Sequence, residues 1–124
     1  IHSNSCEATY RRMVSLCKRA VDMSDETLMG YVTEAYPIIV FCKQLENKER
    51  KMMEIMECEI KVDGTRHYRP LFQYIITENR MEDNKFIIDG YHEQTNCISE
   101  SLCKRFLENG MPLDVIEKLK KKEV

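Results

Sequence analysis

The stretch Cys6–Val21, CEATYRRMVSLCKRAV, sets apolar residues at a helical period and carries two of the chain's six cysteines. Cys6, Tyr10, Met13, Val14, Cys17, Ala20 and Val21 fall on one stripe, with Arg11, Arg12, Lys18 and Arg19 mostly off it. Thiols eleven residues apart on one helix stand roughly 16 Å apart, too far for a disulfide. Each must find its partner on another element, and that requirement shapes the expectation for the whole chain.

The six cysteines, Cys6, Cys17, Cys42, Cys58, Cys97 and Cys103, are separated by 10, 24, 15, 38 and 5 residues. An even number at dispersed spacing in a short chain reads as a framework of three disulfides made in an oxidising compartment. Free buried thiols of a cytosolic protein rank behind that reading. A metal site ranks last, because no C-x2-C pair and no Cys/His pairing at zinc-finger spacing occurs. The beginning, IHSNSCEATY, fits a mature secreted protein whose signal peptide was removed, and fits a trimmed chain equally well.

At 124 residues the chain is expected to form a single domain, residues 1–124, with one core that covalent staples would reinforce. Its apolar fraction of 43% with 32% charged residues is that of a folded protein, far from the disordered corner of composition. A formal charge of −2 provides no electrostatic footprint for nucleic acid. The longest apolar run, Ile38 to Cys42, falls far short of the ~20 residues that span a bilayer, so no transmembrane segment is expected.

Taken in order, the chain reads as a succession of helices. The first starts near Ser3 to Ser5 and ends near Asp22; Ser24 or Asp25 caps a second, which Pro37 kinks or divides before Leu45. If the first two helices run antiparallel about Ser24, residues whose numbers sum to about 48 lie level, which predicts a Cys6–Cys42 disulfide. A third helical stretch holds Met52, Met53, Ile55, Met56, Cys58 and Ile60 and closes at Asp63-Gly64. A fourth runs from about Arg69 to Asn79, with Pro70 in its first turn and Leu71, Phe72, Ile75 and Ile76 as its packing face. That apolar run is also compatible with a strand, but no partner strand is legible elsewhere. Met81–Asn84 reads as a polar loop and Phe86–Ile88 as a short helical or extended segment. Thr95 or Asn96 opens a helix with Ile98, Leu102, Cys103, Phe106 and Leu107 that ends at Asn109-Gly110. Pro112 opens the last one, closed by the Lys118–Lys122 cluster at its negative end. Cys97 can pair with Cys103 only from the loop before that helix; otherwise one joins Cys17 and the other Cys58. The fold class expected is therefore all-α, a compact disulfide-stapled bundle of five or six helices.

Candidate chemistry is sparse. His92-Glu93 lacks the second histidine of H-E-x-x-H, and a surface histidine is the better account. No G-x-S-x-G elbow, P-loop or dinucleotide loop is present, so no catalytic residues, cofactor or metal ligands are assigned and no enzyme is expected. Eight methionines are many for this length and suit an adaptable apolar surface, although core filling explains them as well. Phe41, Met52, Met53, Met56 and Phe72 form the wall of a ligand cavity if a lipophilic molecule binds.

Six cysteines, all-helical expectation and many methionines invite comparison with insect odorant-binding proteins, whose pattern needs a C-x3-C pair that this chain lacks. The dispersal of Cys6, Cys17 and Cys42 around amphipathic segments resembles nematode secreted cysteine-rich helical domains, a likeness of texture over the first half of the chain. It carries no motif and assigns no functional residue, and the long Cys58–Cys97 gap departs from it. The function expected is an extracellular protein-interaction module or secreted ligand whose partner is another extracellular protein or receptor. The alternative is a carrier of a small hydrophobic ligand in a helical cavity.

Overall fold

The computed structural model describes residues 1–121. Its elements in chain order are α1 (Cys6–Cys17), α2 (Asp25–Ala35), β1 (Ile38–Gln44), β2 (Arg50–Ile60), β3 (Arg66–Glu82), β4 (Lys85–Gln94), α3 (Glu100–Glu108) and α4 (Leu113–Lys120). The strands form one antiparallel sheet in sequence order, β1-β2-β3-β4. The protein is thus α+β, and the all-α bundle expected from the sequence is corrected: the middle of the chain, from Ile38 to Gln94, is a meander.

The flanking helices form where their caps and stripes place them. The Ser5 side chain accepts from the Ala8 N–H at 3.1 Å, that of Ser24 from the Thr27 N–H at 3.2 Å, and that of Ser99 from the Leu102 N–H at 3.1 Å. Pro37 ends α2, because the residue before a proline is pushed into extended backbone, and Tyr36 adopts φ −125° and ψ 77°. Pro112 stands at the N-cap of α4. Lys118, Lys120 and Lys121 of the basic cluster are described, and Lys122 lies outside the described residues.

The strands follow from β-branched and aromatic runs that the turns bring into register. Lys61 N–H donates to Thr65 C=O at 2.8 Å across the Asp63-Gly64 turn, where Gly64 takes φ +87°. Asp83 and Asn84, both at positive φ, form the two-residue turn joining β3 to β4, the geometry that matches strand twist. Pro70, read from the sequence as a helix start, lies in β3 beside Leu71, where β3 carries one residue more than β2. It is accommodated because a proline without an N–H fits at a bulge, and β4 begins to pair only at Phe72.

Strand register separates the two faces of the sheet. Ile39, Phe41, Met56, Cys58 and Tyr68 lie on one face and pack with α1 and α2 around Cys6, Tyr10, Val14, Leu28 and Val32. Ile38, Ile55, Leu71 and Phe72 lie on the other and pack with α3 and α4 around Ile98, Leu102, Cys103 and Ile116. The molecule is a curved sheet between two helix pairs.

All six cysteines are free thiols, so the three-disulfide framework, and with it the Cys6–Cys42 bridge, is corrected. The bridge rested on residues up to Leu45 returning as a helix along α1. Instead α2 stops at Ala35, and the side chain of Cys6 donates to the Ile39 C=O at 3.7 Å, three positions short of Cys42 on an extended strand. Cys6, Cys58 and Cys103 are buried core residues, Cys17 and Cys97 are half-buried, and Cys42 is exposed on β1. Small apolar side chains in two filled cores account for most of them. The cysteine argument for an oxidising compartment has no cross-link to rest on.

Candidate functional site

β3 outruns the rest of the sheet. Its pairing with β2 ends at Gln73, while its pairing with β4 continues to Glu82, so the outer part of the β3–β4 hairpin projects as a two-stranded arm. Along this arm the side chains alternate. Tyr74, Ile76, Asn79 and Met81 of β3, with Phe86, Ile88, Gly90 and His92 of β4, share the face that α3 and α4 cover lower down. Glu78, Arg80, Glu82, Lys85, Ile87 and Asp89 share the opposite face. A bulge at Thr77 resets the alternation, and the Thr77 hydroxyl donates to the Asp89 C=O at 3.2 Å.

Ile76, Met81 and Phe86 are 41%, 58% and 48% exposed. α3 and α4 cover only the lower part of that face, and the arm presents an apolar stripe beyond them. Opposite it, Arg80 bridges three acids, Glu78 at 3.2 Å, Glu82 at 3.4 Å and Asp89 at 3.0 Å. Its pKa is raised chiefly by the hydrogen bond to Asp89. With Lys85 on the same face, two cations stand against three carboxylates, and the face keeps one net negative charge.

The arm curls back over the sheet. His92 Nε2–H donates to the Met52 C=O at 2.9 Å, reaching from β4 past β3 to β2. The His92 ring lies 5.0 Å from that of Tyr74, and Lys51 Nζ stands 5.6 Å over the Tyr74 ring. Gly90 permits this, since a Cβ there would strike the Ile75 C=O and come within 2.8 Å of the Tyr74 ring. The histidine singled out in the sequence is therefore a latch between strands. Beyond it an open cleft of about 480 Å3 separates Asn84–Asp89 from the Glu46–Glu49 turn.

A second, smaller cleft of about 160 Å3 is lined by Thr33, Glu34, Pro37, Glu57, Cys58, Ser101 and Arg105, among others. Its polar groups are engaged in the fold. Glu57, 1% exposed, accepts from the Ser99 N–H at 2.9 Å and from the Ser99 hydroxyl at the positive end of α3. The Thr33 hydroxyl donates to the Met29 C=O at 2.7 Å, and Arg105 donates to the Glu34 C=O at 3.3 Å. The arrangement fixes α3 on the sheet. Burial pushes the Cys6 thiol up to about 12, with the Glu54 carboxylate and Glu7 adding to the shift, and burial likewise raises Cys58, so both are protonated thiols at neutral pH.

The five residues expected to wall a ligand cavity are divided by the sheet. Phe41 and Met56 face α1 and α2 in one core, whereas Phe72 packs with α3 and α4 in the other. Met52 and Met53 lie at a bulge where β2 carries one residue more than β1, and Met52 contributes its carbonyl to the His92 latch. The residues that sequence reasoning missed, Ile76, Met81, Phe86 and Ile88, were legible only as a hairpin: apolar alternation on either side of a two-residue Asp83-Asn84 turn. Among the described residues no group of three or more His, Cys, Asp or Glu is placed to hold a metal ion, and no helix is long and apolar enough to cross a membrane. No protein-family model matches the chain, and no curated protein matches it significantly.

Proposed function

We propose that this protein is a protein-binding module whose docking element is the β3–β4 arm. The observation that carries the reading is the apolar stripe of Ile76, Met81 and Phe86, half-exposed on an arm that runs beyond the helices covering the same face. Large apolar side chains gathered on a projecting element, rimmed by charge, are the composition of an interface core and its rim. The clefts favour a protein surface over a buried small molecule. They are open and bordered by charged side chains, including Glu46, Lys48, Glu49, Lys85 and Asp89, while the apolar interior is taken up by the two cores.

The test is site-specific photo-crosslinking in native extract, with a crosslinking residue at Phe86 and, as control, at Val62, which is fully exposed on the β2–β3 turn. A discrete crosslinked species from Phe86, absent from Val62 and lost when Met81 is replaced by Lys, is the expected result. Equal labelling from both sites, or none from Phe86, would refute the reading.

A further inference from the structure

We propose that the arm's partner is a second copy of this chain, paired antiparallel along β4 so that two four-stranded sheets become one of eight strands; this rests on the arm being the docking element. β4 is an edge strand of ten residues, Lys85–Gln94, with no proline and no extra residue of its own. Among the described residues, no backbone hydrogen bond outside the β3–β4 ladder involves residues 85–93. Edges of this length left open are templates for another strand.

The turn decides which backbone groups face outward. A two-residue turn is closed by a hydrogen-bonded pair, here Glu82 and Lys85, and such pairs alternate with non-bonded ones along the ladder. Lys85, Ile87 and Asp89 therefore direct their N–H and C=O groups to β3, and Phe86 and Ile88 direct theirs outward. In a two-fold pairing, outward residues must meet outward residues, which limits the registers to a few.

Charge chooses among them. Centred on Ile87, the pairing sets Phe86 opposite Ile88 of the second copy and Lys85 opposite its Asp89, each twice. Centred on Phe86, it would set Asp89 against Asp83; centred on Asp89, it would set two Asp89 carboxylates against each other. Centred on Ile88, it would leave Asp89 facing Ile87. Of these four registers only the Ile87 one pairs both Lys85 and Asp89 with an opposite charge and opposes no like charges. Lys85 makes no ion pair among the described residues, and Asp89 lies in a cluster with more carboxylates than cations, so the second copy's Lys85 gives Asp89 a second cation beside Arg80. The same register joins the two stripes of Met81, Phe86 and Ile88 into one apolar patch across the two-fold axis.

The experiment is sedimentation equilibrium of the full chain over a concentration series, with circular dichroism to confirm folding of each variant. Wild type is expected to dimerise. Lys85→Asp opposes like charges at both symmetric positions and weakens the dimer by roughly tenfold or more, whereas Lys85→Arg, which keeps the charge, leaves it intact. Ile88→Pro removes an outward N–H without touching the β3 ladder and yields a folded monomer. A wild-type chain that stays monomeric at its highest soluble concentration overturns the proposal, as does a dimer indifferent to Lys85→Asp and Ile88→Pro. If the chain is monomeric yet Phe86 still crosslinks to a different protein, self-pairing fails and the binding-module reading stands. If Phe86 crosslinks to nothing, both fall.

Discussion

Ser99→Ala should be among the most damaging small substitutions in this protein, because one hydroxyl serves two buried partners. Its oxygen accepts the Leu102 N–H at 3.1 Å, capping α3, while its proton goes to a Glu57 carboxylate that is 1% exposed. Loss of the cap costs about 1 kcal/mol. Leaving one oxygen of a buried carboxylate without its donor costs about 1–3 kcal/mol more. The sum is about 2–4 kcal/mol, which for a chain of this length lowers Tm by roughly 8–15 °C. Glu57→Leu alone should be comparably harmful, since it orphans the Ser99 N–H. The double variant Ser99→Ala with Glu57→Leu removes the hydroxyl and the carboxylate together, leaving only the N–H of residue 99 orphaned, and should cost less than the two single changes summed, by at least about 1 kcal/mol. Urea denaturation of the four proteins completes the cycle. A Ser99→Ala cost within about 0.5 kcal/mol, or strict additivity, would show that the carboxylate is solvated and that α3 is held by apolar contact alone.

Three further outcomes are expected. Thiol titration of the native, unreduced protein should find six free thiols, with Cys42 reacting first, Cys17 and Cys97 more slowly, and Cys6, Cys58 and Cys103 only on unfolding; fewer than six after denaturation would contradict the free-thiol core. Stability should fall on the alkaline side. The Cys6 pKa is raised in the fold, so its contribution is intact below pH 9.0, its ordinary value, and is lost progressively up to about 12, amounting to about 4 kcal/mol at most. Cys58, Tyr10 and Tyr68 are raised in the same sense, chiefly by burial. Denaturation midpoints from pH 8 to 11 check this, and Cys6→Ala should flatten the decline. Gly90→Ala should destabilise by about 1–3 kcal/mol, the range for overpacking, because its Cβ would enter the space of the Ile75 carbonyl and the Tyr74 ring. Hydrogen exchange should then report faster opening of the arm than of α1, and equal protection of the arm in the wild type and in Gly90→Ala would contradict the latch.

The ends of the chain were legible because their signals are local. Ser5, Ser24 and Ser99 precede apolar stripes, Pro37 and Pro112 mark boundaries, and α1 carries the stripe that marks its helix, although it stops at Cys17 rather than near Asp22. Ser99, rather than Thr95 or Asn96, caps α3, and its N–H is met by Glu57, forty-two positions away. The sheet was not legible for a related reason. Extra residues at Met53, Leu71 and Thr77 break the two-residue alternation of β2 and β3, so that Leu71, Phe72, Ile75 and Ile76 match a helical face. Each strand, judged singly, shows no partner, because its neighbours carry the same broken alternation.

The cysteines mark the same boundary between local and long-range information. Their number and dispersal suit either a disulfide framework or small apolar core residues, and only packing distinguishes these, by setting Cys6 against Ile39 and sending Cys42 to the solvent side of an edge strand. The candidate site belongs to tertiary structure alone. Phe86 and Met81 become a surface feature because β3 extends past β2 while α3 and α4 stop short of it, relations among segments that no single stretch of residues encodes. Caps, prolines and helical stripes act within a few residues and can be read from the chain; strand partners, sheet faces and exposure depend on contacts formed across tens of residues when the two cores close.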